Sequence, residues 1–232
     1  MPKRDYAAEI SAIRARLLPE GSLLRQLMPR ATRLDAARDH IADMYDSDVR
    51  SELARYLPIG YVACIEGFIR LVIRDLIDNN ESCRQNVVQF KDLRFGLDQA
   101  VALQLGTFSL GEFISHLLPI SSLPDIDASV STLIGESFLD RVRTAEWVSS
   151  STRRSLTIAG LENKVMSDIS RLFELRHILA HELGTSMALK VDDVIRSCRA
   201  ASLFIGVVGI VAQKVGGEKQ QEATAPAGGN GA

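Results

Sequence analysis

The 232-residue chain has little cysteine, few aromatic residues and almost no net charge. Its three cysteines, Cys64, Cys83 and Cys198, are odd in number and widely spaced, and no Cys-x-x-Cys pair occurs. This usage argues against a disulfide framework and a thiolate zinc site, and it is typical of reduced thiols in a cytosolic protein. Lysine and arginine number 27 against 29 for aspartate and glutamate. The chain therefore has no overall positive field that would coat a nucleic acid, although a local basic patch stays open.

The sequence also lacks a secretory signal and a long unbroken apolar run. The amino-terminal residues MPKRDYAAEI contain no apolar core of the kind that signal peptides carry. The longest apolar run covers residues 200–212, which is short of the roughly 20 residues that a membrane-spanning helix needs. We interpret this run as a buried core helix, with an interfacial segment as the alternative. The expectation is a cytoplasmic protein that does not contact a membrane.

Helical periodicity is the dominant pattern that is present. Apolar residues recur at spacings of three and four over most of the chain, which predicts an all-α helical bundle. Residues 1–215 are predicted as one domain, and the Gly-, Ala- and Gln-rich residues 216–232 as a disordered tail. Predicted helices cover 6–18, 36–57, 60–78, 109–118, 131–144, 161–183 and 187–215, with one or two more within 86–105. Pro58 is predicted to mark a helix boundary, 124–127 and 149–152 to be loops, and 156–159 to be the only strand candidate.

One charged residue stands out in the helix predicted over 161–183. On a helical wheel Arg176 falls inside the apolar face that contains Val165 and Ile169. A guanidinium keeps its proton, so it needs an acceptor there: a carboxylate, backbone carbonyls or a bound phosphate. Glu66 lies at the margin of the apolar face of the helix predicted over 60–78. We therefore expect an ion pair between Glu66 and Arg176 if these two helices face each other.

Two histidines accompany this arginine. His177 and His181 are one turn apart and share a helix face, a spacing that suits a metal ion. The metalloprotease pattern, however, needs a glutamate directly after the first histidine, where this chain has Ile178, and no third ligand is evident nearby. We therefore expect no metal and interpret the pair as partly exposed helix histidines. Near a helix carboxyl terminus the helix dipole favours the protonated imidazole, which suits contact with an acid or a phosphate.

Other catalytic classes lack their motifs. The chain has no GxxxxGK[ST] phosphate loop, no strand-linked GxGxxG and no GxSxG nucleophile elbow. These absences argue against a P-loop NTPase, a Rossmann dehydrogenase and an α/β-hydrolase.

Two segments together carry a resemblance to a known family. Residues 176–181 read R-H-I-L-A-H near the end of a long helix that precedes one last apolar helix, and residues 59–70 read IGYVACIEGFIR, an apolar helix interrupted by Glu66. In this all-α context they resemble the HEPN superfamily, in particular its ribonuclease and toxin-like branches. The resemblance covers about residues 36–215. Residues 81–150 have no counterpart in it.

The resemblance implies a metal-independent endoribonuclease that needs no cofactor and acts as a toxin or defence effector. Arg176 would bind the scissile phosphate, and His181 would act as general base on the ribose 2′-hydroxyl or as general acid on the leaving oxygen. His177 and Glu66 would support the site. The implied partners are RNA, a second copy of the chain that places both motifs in one cleft, and an antitoxin or regulatory protein.

A geometric difficulty and two alternatives remain open. On an ideal helix Arg176 and His181 point about 140° apart. Joining them in one site needs either a dimer seam along this helix or a distorted last turn before Gly184, and dimerisation through the helix is the expectation. The alternatives are a non-catalytic HEPN-like module that binds a nucleotide, RNA or a partner protein, and a helical scaffold in which the motif is coincidental.

Overall fold

The computed structural model describes residues 5–16, 23–91, 93–148, 153–161, 164–181 and 189–224, without the side chains of 15–16, 23–27, 181 and 217–224. The protein is all-α, as the periodicity predicts. Its helices are α1 (Tyr6–Arg16), α2 (Leu23–Ala42), α3 (Ser47–Ala54), α4 (Tyr56–Asn79), α5 (Glu81–Asn86), α6 (Leu97–Gln104), α7 (Leu110–Leu117), α8 (Leu123–Ile134), α9 (Phe138–Thr144), α10 (Val165–His181) and α11 (Val191–Thr224). A 3-10 turn follows α5 at Val87–Gln89. Strand β1 (Trp147–Val148) pairs antiparallel with β2 (Ser155–Leu156), so the strand candidate at 156–159 is found one residue earlier and with a partner that the sequence did not indicate.

Helix α4 is the centre of the core. It packs against α2, α7, α10 and α11, and apolar residues cover most of its circumference. A helix with so wide an apolar face is stable in water only when other helices cover that face. Its buried residues are Leu57, Pro58, Tyr61, Val62, Cys64, Ile65, Phe68, Ile69, Val72, Ile73, Leu76 and Ile77.

Two stretches of the described chain are long and apolar enough to cross a membrane, judged by length and composition alone: Ser47–Asn79 and Val191–Gly216. In the fold, 56% and 61% of their apolar windows are buried inside the protein. The second stretch contains the run at 200–212 that the sequence predicted to be a core helix. Both stretches form the core that α2, α7 and α10 complete.

The prediction of one helix over 36–57 is wrong. Helix α2 starts upstream at Leu23 and ends at Ala42, and α3 starts only at Ser47. Asp46 begins α3 by accepting hydrogen bonds from the N–H groups of Asp48 and Val49, both at 3.0 Å. Pro58 does not mark a boundary either. It lies in the first turn of α4, where its missing N–H removes no intrahelical hydrogen bond.

The predicted loop at 124–127 is the first turn of α8. Ser122 is its N-cap and accepts a hydrogen bond from the N–H of Asp125 at 3.2 Å, with Pro124 in the first turn. The single helix predicted over 131–144 is also wrong, because α8 ends at Gly135. That residue adopts φ 79°, a left-handed conformation typical of a helix end, and α9 starts at Phe138.

The last two helices differ from the predictions at their ends. Helix α10 begins at Val165, four residues later than the predicted 161. Helix α11 begins at Val191 and continues past Val215 to Thr224, into the segment predicted to be a disordered tail. Residues 225–232, the predicted Gly184 cap and the predicted loop at 149–152 lie outside the described residues.

Helix α7 lies against α4 at a distance that only glycine allows. Asp78 of α4 accepts hydrogen bonds from the Ser109 hydroxyl at 2.6 Å and from the Gly111 N–H at 2.9 Å. A Cβ added at position 111 would overlap the backbone carbonyl oxygen of Arg74 and lie 2.7 Å from Asp78 Oδ1. A backbone oxygen inside a packed helix cannot move aside, so the two helices would have to separate.

We expect Gly111→Ala to lower the free energy of unfolding by about 2 kcal/mol, through overpacking and loss of the Asp78 contacts. Denaturant unfolding monitored by circular dichroism measures the change. Gly206→Ala is the matched control, because a Cβ there meets nothing within 4 Å. That control should leave stability unchanged or raise it by up to about 1 kcal/mol, since alanine is the better helix former. Equal unfolding midpoints for the two variants would contradict the close approach.

Candidate functional site

The structure places Glu66 and Arg176 together. Glu66 comes from the middle of α4, Arg176 from the second half of α10, and these helices pack against each other. Arg176 Nη2 lies 3.6 Å from Glu66 Oε1, an ion-pair distance that is longer than a hydrogen bond. The Arg176 side chain is 34% exposed and that of Glu66 24%. The guanidinium therefore emerges at the edge of the apolar face rather than in its middle.

Two other arginines, Arg38 and Arg196, are held more tightly than Arg176. Arg38 is buried and donates hydrogen bonds of 2.6–3.1 Å to Asp35 and Asp39. Arg196 donates to Asp168 at 3.1 Å and to Asp193 at 2.8 Å. Among the side chains that the structure describes, the ion-pair partner of Arg176 is Glu66. Their distance of 3.6 Å is longer than the hydrogen bonds of Arg38 and Arg196. A loose, half-exposed guanidinium can change partners without breaking the fold.

An open cleft of about 690 Å³ lies beside this arginine. One wall is α10, with Arg176, His177 and Glu174, and the opposite wall is the chain that enters α8 at 121–124. Pockets of roughly 300–1,000 Å³ hold small organic ligands, so the cleft is large enough for a nucleotide unit. Its complete lining is Ser121, Ser122, Leu123, Pro124, Ser170, Phe173, Glu174, Arg176, His177 and Ile178.

The two histidines occupy different positions relative to the cleft. His177 is exposed and lines it next to Arg176. His181 is the last residue of α10, and its side chain lies outside the described part of the chain. Because α10 is α-helical through His181, the backbone of His181 follows one turn after His177. The structure thus brings His177 beside Arg176, and it places the backbone of His181 at the end of the same helix.

The α8 wall of the cleft was missed by sequence reasoning. Residues 121–124 fall in the region that the family resemblance does not cover, and residues 124–127 were predicted to be a loop. The signal was present nonetheless: a serine, then a proline two residues later and an aspartate three residues later, is a typical helix start. The local sequence does not indicate that α8 packs against α10, and this packing forms the cleft.

Thiol and metal chemistry find little support in the described residues. All three cysteines are buried, and burial raises the pKa of the Cys198 thiol to about 12. Burial also raises the pKa of Cys64, so both thiols stay protonated and unreactive near neutral pH. Within the described ranges, no group of three or more His, Cys, Asp or Glu side chains is arranged to hold a metal ion.

Comparison of the chain with protein-family models, curated proteins and solved structures finds no significant match. What the structure defines is an all-α protein with a cleft between α8 and α10 that carries an arginine and a histidine. Its function therefore has to be inferred from the chemistry of that cleft.

Proposed function

We propose that the protein is a metal-independent endoribonuclease of the HEPN type, which cleaves RNA in the cleft between α8 and α10. The observation that carries this proposal is Arg176 at the cleft, 3.6 Å from Glu66 and adjacent to His177. A guanidinium matches the geometry and charge of a phosphodiester, and an imidazole exchanges protons near neutral pH. An arginine and histidines on one helix therefore provide the two groups that RNA transesterification requires.

In the proposed reaction RNA supplies its own nucleophile. An imidazole takes the proton of the ribose 2′-hydroxyl, the 2′-oxygen bonds to phosphorus, and the 5′-oxygen leaves with a proton. The products are a 2′,3′-cyclic phosphate and a 5′-hydroxyl. Arg176 stabilises the negative charge that grows on the phosphoryl oxygens. His181 is the proposed general base or acid, and His177 is the second imidazole beside the phosphate.

Glu66 is the proposed positioning residue. It reaches Arg176 from α4 and limits the directions that the flexible arginine side chain can take. At 3.6 Å the attraction orients the guanidinium without occupying its donors in short hydrogen bonds. Holding a charged group in place before substrate arrives reduces the entropic cost of using it in the transition state.

The proposal includes partners and a biological role. RNA is the proposed substrate, with a second copy of the chain and an antitoxin or regulatory protein as partners in a cytoplasmic toxin or defence system. Since the chain has no overall positive charge, binding should depend on the cleft and weaken as salt rises.

The test is incubation of the purified protein with end-labelled RNA in excess EDTA. We expect fragments with 2′,3′-cyclic phosphate ends, identified by gel electrophoresis and mass spectrometry. The same RNA with a single 2′-deoxynucleotide at the mapped cleavage position should stay intact, because the attacking hydroxyl is missing. His181→Ala protein purified in parallel controls for contaminating ribonuclease.

Two results would overturn the proposal. RNA that binds but remains whole in the wild-type protein would indicate the non-catalytic binding module instead. Cleavage that persists unchanged in His181→Ala would assign the activity to a contaminant or to other residues.

A further inference from the structure

Glu174 is an ionisable residue of the cleft that the proposed cleavage does not use. Its exposed side chain lines the cleft in the same wall as Arg176 and His177. Glu66, the other carboxylate near Arg176, has this arginine as its ion-pair partner. Among the residues that the structure describes, no arginine, lysine or histidine side chain forms an ion pair with Glu174. The cleft therefore contains an unpaired negative charge at the place where the proposed function puts a phosphate.

Nearby cations offset this charge only in part. On its other side Glu174 borders a second pocket that contains Arg171 and Lys190, together with Asp193. Neither cation pairs with Glu174, so their attraction to it acts through solvent and is screened. Two negative groups in one cleft repel each other, more strongly than in bulk water because protein surrounds them. Glu174 therefore weakens RNA binding unless the carboxylate itself accepts hydrogen bonds from the RNA.

Two further groups of the cleft lie beside and opposite this carboxylate. Ser170 is one helical turn before Glu174, so both residues lie on the same side of α10. The Ser170 hydroxyl lines the cleft and forms no hydrogen bond with any residue that the structure describes. Pro124 is exposed in the opposite wall. The cleft thus offers a pair of strong acceptors, a hydroxyl donor next to them and an apolar ring across from them.

We infer that the cleft selects guanine, and that Glu174 accepts hydrogen bonds from N1–H and the 2-amino group of this base. The inference rests on the proposed function and adds the base that the site recognises. Guanine has two adjacent N–H donors on its Watson–Crick edge, and their spacing matches the two oxygens of a carboxylate. On the same edge adenine, cytosine and uracil each place an acceptor next to their donor, and that acceptor would face a carboxylate oxygen. The carboxylate therefore attracts guanine and disfavours the other three bases.

The remaining groups of the cleft complete this recognition. The Ser170 hydroxyl donates to O6, the acceptor that follows N1 on the guanine edge. Pro124 packs its ring against the face of the base, and the phosphate next to the guanosine reaches Arg176. Hydrogen bonds to an ionised acceptor are stronger than neutral ones, so the two bonds to Glu174 dominate the choice of base. Glu174 is thus a specificity-determining residue, separate from the groups that transfer protons.

The test is calorimetric titration of the full chain with trinucleotides built on 2′-deoxyribose, which have no attacking hydroxyl and stay intact. The central base is guanine, hypoxanthine or adenine, with uracil on both sides, so a phosphate is available in either direction. We expect guanine to bind about 10–100-fold more tightly than adenine, the usual effect of one bidentate base contact. Hypoxanthine should fall between them, because it keeps N1–H and lacks the 2-amino group.

Glu174→Gln should reverse the preference. A carboxamide has one acceptor and one donor, which match the 6-amino group and the ring nitrogen of adenine and mismatch the two donors of guanine. Glu52→Gln is the matched control, since Glu52 is an exposed glutamate on α3 that does not line the cleft. The control should keep the wild-type order of affinities, and circular dichroism should show both variants folded. A merely structural role of Glu174 would change all three affinities by the same factor.

The outcomes separate this inference from the proposed ribonuclease activity. A wild-type protein that cleaves RNA at all four bases alike would overturn the guanine site and leave the cleavage in place. A guanine preference that Glu174→Gln removes, in a protein that cuts no RNA, would support the guanine site and overturn the cleavage. Equal affinities for the three trinucleotides, no binding of any of them, or an unchanged order in Glu174→Gln would each overturn the inference.

Discussion

Replacing Arg176 with alanine is expected to slow RNA cleavage by about 10²–10³-fold, the usual effect of removing one group that stabilises transition-state charge. The same change should lower the free energy of unfolding by less than about 1 kcal/mol, because a half-exposed ion pair contributes little to stability. The Arg176 side chain is 34% exposed and lies 3.6 Å from Glu66. When it is removed, water can replace it beside Glu66, so the fold loses little while the phosphate loses its cation.

The control for Arg176→Ala is Arg171→Ala. Arg171 is an exposed arginine on the same helix, and it borders a different pocket with Lys190 and Asp193. Its removal should leave the cleavage rate within about twofold of wild type, since a surface charge outside the cleft acts weakly through solvent. Arg176→Lys should recover part of the lost rate, because an ammonium keeps the charge but not the two-pronged geometry. Glu66→Gln should fall between wild type and Arg176→Ala.

Single-turnover cleavage rates and denaturant unfolding, measured on the same preparations, separate chemistry from stability. An Arg176→Ala protein that cleaves RNA normally but unfolds several kcal/mol more easily would make Arg176 a structural residue. In that case the motif would be coincidental, and the cleft would need another explanation.

The all-α fold was predictable because apolar spacing is a local signal repeated in every helix. Helices α4, α7 and α10 lie close to where the sequence predicted them. The errors came from how short polar and proline-containing segments were interpreted. Pro58 and Pro124 were taken as helix interruptions, yet both lie in the first turn of a helix, where proline is well tolerated. A stronger weight on capping residues such as Asp46 and Ser122 would have placed the starts of α3 and α8.

The candidate site was predictable in part for a related reason. Arg176 and Glu66 are each a charge on or beside an apolar helix face, and two such charges of opposite sign stabilise each other when the helices pack. Their pairing could therefore be predicted without coordinates. The cleft could not, because its second wall at 121–124 is brought to α10 by packing between segments that share no sequence pattern. The exposure of Leu97, Val101 and Leu105 on α6 could not be predicted either, because periodicity identifies an apolar helix face but not whether that face is buried.

A partly buried polar cluster joins residues whose contacts sequence reasoning cannot predict. Asp35 Oδ1 accepts hydrogen bonds from Arg38 at 2.6 Å, from Tyr61 at 2.7 Å and from Ser202 at 2.6 Å. Tyr61 and Ser202 are 26 and 167 residues away along the chain. A single carboxylate thus joins α2, α4 and α11, and no spacing rule connects the four residues.

Asp35→Ala is expected to lower the free energy of unfolding by about 3 kcal/mol, because it leaves a buried hydroxyl without its acceptor and removes the link between three helices. Tyr61 is fully buried, and its burial, together with the hydrogen bond to Asp35, raises the pKa of the phenol. The phenol therefore keeps its proton at all ordinary pH values, and it loses its short hydrogen bond when the carboxylate is removed. Arg38 keeps Asp39 as a partner, which limits the loss.

Asp39→Ala is the matched control for Asp35→Ala. Asp39 pairs with the same Arg38, but its side chain is 57% exposed and binds neither tyrosine nor serine among the described contacts. Its removal should lower the free energy of unfolding by less than about 1 kcal/mol, as is usual for exposed ion pairs. Guanidinium unfolding of both variants and of Tyr61→Phe tests the assignment. The Tyr61→Phe variant removes the buried hydroxyl, so combining it with Asp35→Ala should cost less than the sum of the two single changes. Strict additivity would show that the carboxylate and the phenol stabilise the fold independently.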